Sequence, residues 1–321
     1  MLPAKCDLTR DALDQLDARL ANNDRSLRSF KTALTEGSAR QIEAFESDAP
    51  IDRLVRARAR LVDGILIRAW RQCGSPLIAP CALCAVGGFG RGQLHPGSDI
   101  DIMVVAPDAA LLDQHQGDLA EFFTLLWDIG LEVGHSARTV EDCVREATDD
   151  VTVATALMES RLLDGDPALF KRMRAATGPD RIWPSAAFFE AKLAEQRARH
   201  ERYNDTGYNL EPNIKGSPGG LRDIQMVGWV AKRHFGAETL HDLVDKGFLT
   251  EAEFDGLSNG RSFLWKLRYA LHIMTGRRED RLLFDHQLSH DKISRFLRSS
   301  YLDSTSVWKS AKKFVRSLIK F

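Results

Sequence analysis

Nowhere in the 321 residues does an apolar run approach the roughly 20 residues that a helix needs to cross a bilayer, so no membrane-spanning segment is expected. The opening residues, Met1 to Arg10, carry no apolar core of the secretory kind, and the expectation is a cytoplasmic protein. Charge of one sign is missing too. Lys and Arg total 44 against 45 Asp and Glu, a formal net charge of −1, so no overall basic field points to nucleic acid or an anionic membrane as partner. Cysteine is scarce and scattered, at positions 6, 73, 81, 84 and 143. Cys81 and Cys84 have C-x-x-C spacing, but no second pair and no nearby histidine completes a zinc tetrahedron. They sit in an apolar run and are expected to be buried thiols. With 44% hydrophobic and 28% charged residues, the chain has a globular composition and is long enough for two domains.

Residues 7–36 and 38–73 carry apolar side chains at three-to-four spacing, which predicts two N-terminal helices. Leu54, Val55, Arg58, Leu61, Val62, Ile65 and Ala69 form the stripe of the second, and Gly74, Pro76 and Pro80 close it. Residues 81–86 read as a buried strand, 88–94 as a short helix or turn, and 99–105 as a second strand. Pro107 and Asp108 open a helix to about Asp128, residues 131–138 make a third strand, and Thr139 with Asp142 resembles a capping box. Past about residue 150 strand signals stop. Residues 151–163, 185–204, 220–235, 238–246 and 251–275 are helical in pattern, with a second capping box at Thr250 and Glu253 and C-terminal caps at Gly247 and Gly276.

The chemistry concentrates in residues 86–105. Gly87, Gly88, Gly90 and Gly92 make a turn whose backbone can approach a phosphate closely. Asp99 and Asp101 follow at i and i+2, a spacing that puts both carboxylates on one face of a strand. Two such groups repel unless a cation sits between them, and hard oxygen ligands suit Mg²⁺. No Gly-Lys-Ser/Thr follows, which excludes a Walker A loop, and the acidic pair comes too early for a dinucleotide fingerprint. The combination of glycines, Arg91, Ser98 and Asp-x-Asp points to metal-assisted phosphoryl or nucleotidyl transfer. The plain alternative is a tight turn beside two solvated carboxylates.

The run from Gly87 through Arg91 and Ser98 to Asp101 resembles the signature of the DNA-polymerase-β-like nucleotidyltransferase superfamily. Three further stretches, Gly130 to Glu141, Tyr208 to Gln225 and Leu271 to Gln287, are similar to the bacterial bifunctional uridylyltransferase/uridylyl-removing enzymes that modify the nitrogen-regulatory PII protein. The resemblance covers about residues 50–287. It implies an α+β fold: an N-terminal helical segment (1–44), a small mixed-sheet nucleotidyltransferase domain (45–145), an all-helical domain (146–287) and an atypical tail (288–321). It also implies Mg²⁺-dependent transfer of UMP from UTP to a tyrosine of PII with release of pyrophosphate, and neither nucleic acid nor membrane as partner. Asp99 and Asp101 would hold the metal. Gly87, Gly88, Arg91 and Ser98 would bind the nucleotide, joined by Lys215 and Arg222 from the Gly/Pro-rich loop Asn213 to Asp223.

The superfamily takes a third carboxylate from the following strand, where this chain has Gly134 or His135. Glu132, two residues away on the face of Gly134, is the candidate catalytic substitute; a structural Glu132 and His135 as general base are the alternatives. The Arg277 to Arg281 run is expected to be a salt-bridged surface, and the dipeptides His241-Asp242 and His290-Asp291 to be coincidental. Full members of the family continue into hydrolase and glutamine-sensing ACT domains, so a chain ending at Phe321 is expected to be truncated and to lack both. Adenylyl transfer to a metabolic enzyme and a catalytically silent nucleotide- or PII-binding fragment are the competing readings.

Overall fold

The computed structural model describes residues 7–73, 79–203, 211–237 and 239–289, in two compact units that meet in sequence at Ile182 and Trp183. Cys6, Gly74, Pro76, Tyr208, the His290-Asp291 dipeptide and the remainder of the expected tail lie outside the described residues. Among those described, no helix is long and apolar enough to cross a membrane.

The first unit opens with three helices, not the expected two: α1 (Arg10–Ala21), α2 (Leu27–Glu46) and α3 (Ile51–Gln72). The chain turns at Asn23 and again at Asp48, both in the left-handed region at φ 62° and 58°. Asn and Asp tolerate that conformation better than most side chains. Gly37, the expected break, lies inside α2. A Cβ there would stand 2.6 Å from a Leu61 methyl, so the glycine lets α2 approach α3 closely.

Next come β1 (Ala82–Ala85), the single-turn α4 (Gly87–Gly90), β2 (Ile100–Ala106), α5 (Ala109–Gln114), α6 (Gln116–Ile129) and β3 (Val133–Thr139). The helix expected to run unbroken to Asp128 is interrupted at His115. The Thr139–Asp142 capping box forms at the start of α7 (Val140–Asp149), which leads into α8 (Val151–Met158). The expectation that strands end near residue 150 fails: Arg161–Gly165 form β4, where helix was predicted to continue to 163, and α9 (Pro167–Ala176) follows. This strand escapes a pattern search because it is five residues long and half-buried throughout, without alternation.

The sheet is mixed, in the order β3-β2-β1-β4, with β2–β3 parallel and the other pairings antiparallel. With the helices of the second unit this makes the α+β class. Ile100, Ile102, Val104 and Ala106 of β2 enter a core with Leu61, Ile65 and Phe122, where Trp70 meets the Phe122 ring edge-on at 5.0 Å. The opposite face of β2 carries Asp101 and Met103, the latter 3.8 Å from the Cys143 thiol of α7. Cys81 and Leu83 belong to the first core, whereas Cys84, three residues on, points the other way. Burial pushes the Cys84 thiol up to about 12, so the pair behaves as inert core side chains.

The second unit contains α10 (Ser185–Arg202), α11 (Leu221–Phe235), α12 (Asp242–Asp245), α13 (Glu251–Thr275) and α14 (Phe284–Ser289). Its described residues pair as strands only at the isolated bridge between Asn213 and Arg281. The Thr250–Glu253 capping box and the left-handed Gly276 cap bound α13 at the expected residues. Ile224, Val227 and Ala231 of α11 pack on Leu243, Leu249 and Leu257.

Two glycines in the first unit make opposite predictions. A Cβ at Gly165, where φ is +91°, would stand 2.1 Å from the Cys81 carbonyl oxygen, whereas nothing lies within 4 Å of one at Gly117 in α6. Gly165→Ala is expected to lower stability by about 2 kcal/mol. Gly117→Ala is expected to raise it by about 0.5 kcal/mol, both read from chemical denaturation.

Candidate active site

Behind the glycine turn is a clamp that the sequence did not reveal. Arg161 of β4 donates to both carboxylate oxygens of Asp63 at 2.9 and 3.0 Å, and also to the carbonyls of Gly90 (3.3 Å) and Phe89 (3.2 Å). Its guanidinium also lies over the Phe89 ring. A Cβ on Gly90 would stand 2.3 Å from the Glu159 carbonyl oxygen, so only glycine fits there. Gly87 opens the turn at φ +56°, and the first N–H groups of a single-turn helix have no carbonyl one turn back to bond. Arg91 pairs with the Glu159 carboxylate at 2.5 Å and donates to Gln93 at 3.2 Å. Its other guanidinium nitrogen lies beside Gly88, 3.5 Å from where a Cβ would be.

Asp99 and Asp101 reach one face because their neighbours Ile100 and Ile102 are buried on the other. A Cβ on Gly87 would lie 3.4 Å from Asp101 Oδ2, and one on Gly134 would lie 2.8 Å from Asp101 Oδ1. The glycine turn and the carboxylate are therefore in contact range. The Ile100 amide donates to the Glu132 carbonyl at 2.9 Å and sets Glu132 beside the pair. An open cleft of about 760 Å³ is lined by Asp99, Asp101, Glu132 and Gly134 together with Trp127, Gly130, Leu131 and Val133. Ser98 closes the turn through its amide to the His95 carbonyl at 3.1 Å, and its buried hydroxyl oxygen has no hydrogen-bond partner.

In the parallel register Asp101 faces Gly134, so the position opposite the second aspartate bears no carboxylate. His135 pairs with buried Ile102 and stacks on Phe123 at 3.8 Å, on the other face of β3. The register thus sets His135 on the side of β3 away from Asp101. Among the described residues, no group of three or more His, Cys, Asp and Glu stands close enough to hold a metal ion, so Glu132 shares the cleft without completing a trio as placed. Two adjacent solvent-facing carboxylates, a buried hydroxyl oxygen with no partner and a glycine that leaves room against Asp101 Oδ2 do suit a hydrated hard cation.

The loop Asn213 to Asp223 belongs to the second unit and is held from within. Asn213 Oδ1 accepts from the amides of Lys215 (3.1 Å) and Gly216 (2.7 Å), and Ser217 Oγ accepts from the Asn213 amide. Asp223, 1% exposed, accepts from Arg199 (2.6 Å), Gln196 (2.9 Å), the Gly219 amide (2.7 Å) and His200 (3.0 Å). It is an interior hub and not a group that reaches out over a ligand. Arg222 donates to Gln225 at 3.0 Å, with its guanidinium over Trp229. Burial, with the nearby charges of Arg268 and Arg222, pulls Lys215 down to about 8. Of the charged run, Arg277 pairs with Glu279 and Arg281 with Glu211 at 3.6 Å, as a salt-bridged surface would. Asp280 differs: it turns inward to Arg268 at 2.6 Å. His241 lies exposed, 3.6 Å from Asp245 and from Glu251.

Comparisons with known proteins follow the same division. Residues 70–153 match the family described as nucleotidyltransferase domain, and residues 187–318 match GlnD PII-uridylyltransferase. The bifunctional uridylyltransferase/uridylyl-removing enzymes of Pseudomonas putida (strain W619) and Pseudomonas fluorescens (strain SBW25) are each 51% identical over 275 residues, 86% of this chain. That of Ectopseudomonas mendocina (strain ymp) is 50% identical over 273 residues. The chain is homologous to the N-terminal part of these bifunctional enzymes. It is thereby of the nucleotidyltransferase type, and it spans 30% of the length of the relatives it matches. One expectation is corrected. The second match continues to residue 318, so the sequence beyond Gln287 still resembles the family.

Burial pushes the Asp223 carboxyl up, but the hydrogen bonds and charges of His200 and Arg199 outweigh this and hold it below its usual range. Asp223→Asn leaves the half-buried Arg199 guanidinium without its counter-charge and is expected to cost about 3–5 kcal/mol in denaturant titrations. The contribution of Asp223 should be fully present above its ordinary value of 3.8 and fade as pH falls through its lowered one.

Proposed function

We propose that this chain transfers UMP from UTP to a tyrosine hydroxyl of a PII-type regulatory protein in the cytoplasm, releasing pyrophosphate. The observation that carries the reading is the convergence of Asp99 and Asp101 on one cleft, with Gly87 against Asp101 Oδ2. The matched family description and the printed names of the relatives supply the nucleotide and the acceptor.

Asp99 and Asp101 are the residues that would hold Mg²⁺. When bound, the metal would acidify the attacking hydroxyl and offset charge on the α-phosphate and departing pyrophosphate. The remaining work falls to the protein. Gly87 and Gly88 offer backbone N–H groups to the triphosphate, and the buried Ser98 hydroxyl supplies a further polar contact. Arg91 faces Gly88 while its pair with Glu159 fixes its direction, so its charge arrives already oriented. A tyrosine hydroxyl, whose ordinary pKa is about 10, needs a place for its proton, and Glu132 on the rim of the cleft is the carboxylate proposed to take it. Lys215 and Arg222 remain phosphate-binding candidates of the second unit.

A silent, nucleotide-binding chain is the second reading. It is favoured by Gly134 standing opposite Asp101, where the resemblance leads one to expect a carboxylate.

Incubation with UTP, Mg²⁺ and PII, followed by intact-mass measurement of PII, separates the two. The expected result is a gain of one UMP by PII, with ATP failing to substitute. Asp99→Asn and Asp101→Asn should each slow transfer by at least about a hundredfold, with circular dichroism unchanged. Wild-type protein that binds UTP yet never modifies PII would establish the silent reading.

A further inference from the structure

The aspartate pair has two unlike sides. Strand β2, which carries Asp101, lies between β1, from which the glycine turn departs, and β3, which carries Gly134. Asp101 Oδ2 faces Gly87 and Oδ1 faces Gly134. With the triphosphate over the glycine turn, the leaving pyrophosphate is on the β1 side. Displacement at the α-phosphate sets the attacking oxygen roughly in line with, and opposite to, the leaving oxygen. The acceptor must then enter from the β3 side, and that is where the 760 Å³ cleft opens.

The lining of this cleft does not suit a phosphate. Its eight residues include three carboxylates, one indole and no cation. The indole is Trp127, 51% exposed and yet fixed in place. Its Nε1 donates to the Val133 carbonyl at 3.3 Å, and its ring meets the His135 edge at 5.4 Å. A large aromatic surface held rigid and open beside reactive carboxylates is suited to receive another flat apolar group.

We propose that Trp127 is the docking platform for the acceptor: the ring of the tyrosine to be modified packs on the indole, and its hydroxyl is thereby aimed at the Asp99–Asp101 pair. The inference rests on the transfer proposed above and adds the route of entry and the residue that recognises the acceptor. A Trp127 platform acts on the acceptor and not on UTP, which lies across the aspartates from it.

The test compares wild type with Trp127→Ala, Trp127→Leu and Trp127→Phe, each checked by thermal melting. KM for PII and for UTP is measured in the transfer assay, and the Kd for PII is measured by calorimetry without nucleotide. Trp127→Ala is expected to raise KM and Kd for PII about tenfold and to leave KM for UTP within about twofold. Trp127→Leu, which keeps bulk without the aromatic face, carries the same expectation should the alanine variant melt early. Trp127→Phe should recover most of the loss. Unchanged KM and Kd for PII, or an equal rise in KM for UTP, overturns the platform while transfer itself stands. A wild-type protein that never modifies PII overturns the transfer reading and this inference with it.

Discussion

The alternation that opens β2, with Ile100 and Ile102 turned inward and Asp101 between them turned out, is the constraint on which the site depends. Ile100 and Ile102 are almost wholly buried, and burying a branched aliphatic side chain is worth about 1.5–3 kcal/mol. A slip of one residue would expose both isoleucines and turn both aspartates into the core, a cost no carboxylate pair can recover. The hydrophobic effect therefore decides where the negative charge goes. The parallel register with β3 then puts Gly134, and no bulkier side chain, against Asp101.

Around this strand the chain invests in rigidity more than in local flexibility. The glycine turn has little intrinsic preference for one shape, since glycine restricts its own backbone least. Its shape is imposed by Arg161, which bonds two of its carbonyls, and by Glu159, which both pairs with Arg91 and crowds Gly90. A preorganised array of donors loses less on binding than one that must first be ordered. The second unit follows the same habit, with Asp223 collecting four donors, three from α10 and one from the loop before α11.

What was legible in the sequence was what is local. The strand at 100–106, the capping boxes at Thr139 and Thr250 and the shared face of Asp99 and Asp101 each follow from spacings of two or three residues. What was hidden depends on distant partners. β4 has no alternation and exists because β1 offers it an edge. Asp223 ends the Gly/Pro-rich loop, and its interior role became visible only once its partners 23 and 24 residues earlier were placed beside it. That His135 pairs with Ile102 and not with Asp101 was visible only once the parallel register was known. Gly37 looked like a helix end because the reason for a glycine there, the Leu61 side chain, lies on another helix.

The Arg161 clamp sets an order of events during synthesis. The arginine lies 71 residues beyond Gly90 and 98 beyond Asp63, so Asp99, Asp101 and the whole glycine turn leave the ribosome well before the residue that shapes the turn. Contacts of such long sequence separation form late, after the loop they close has lost its freedom. A nascent chain of 150 residues thus holds every acidic group of the cleft and none of the tether. The turn takes its final shape only as β4 zips onto the edge of the sheet.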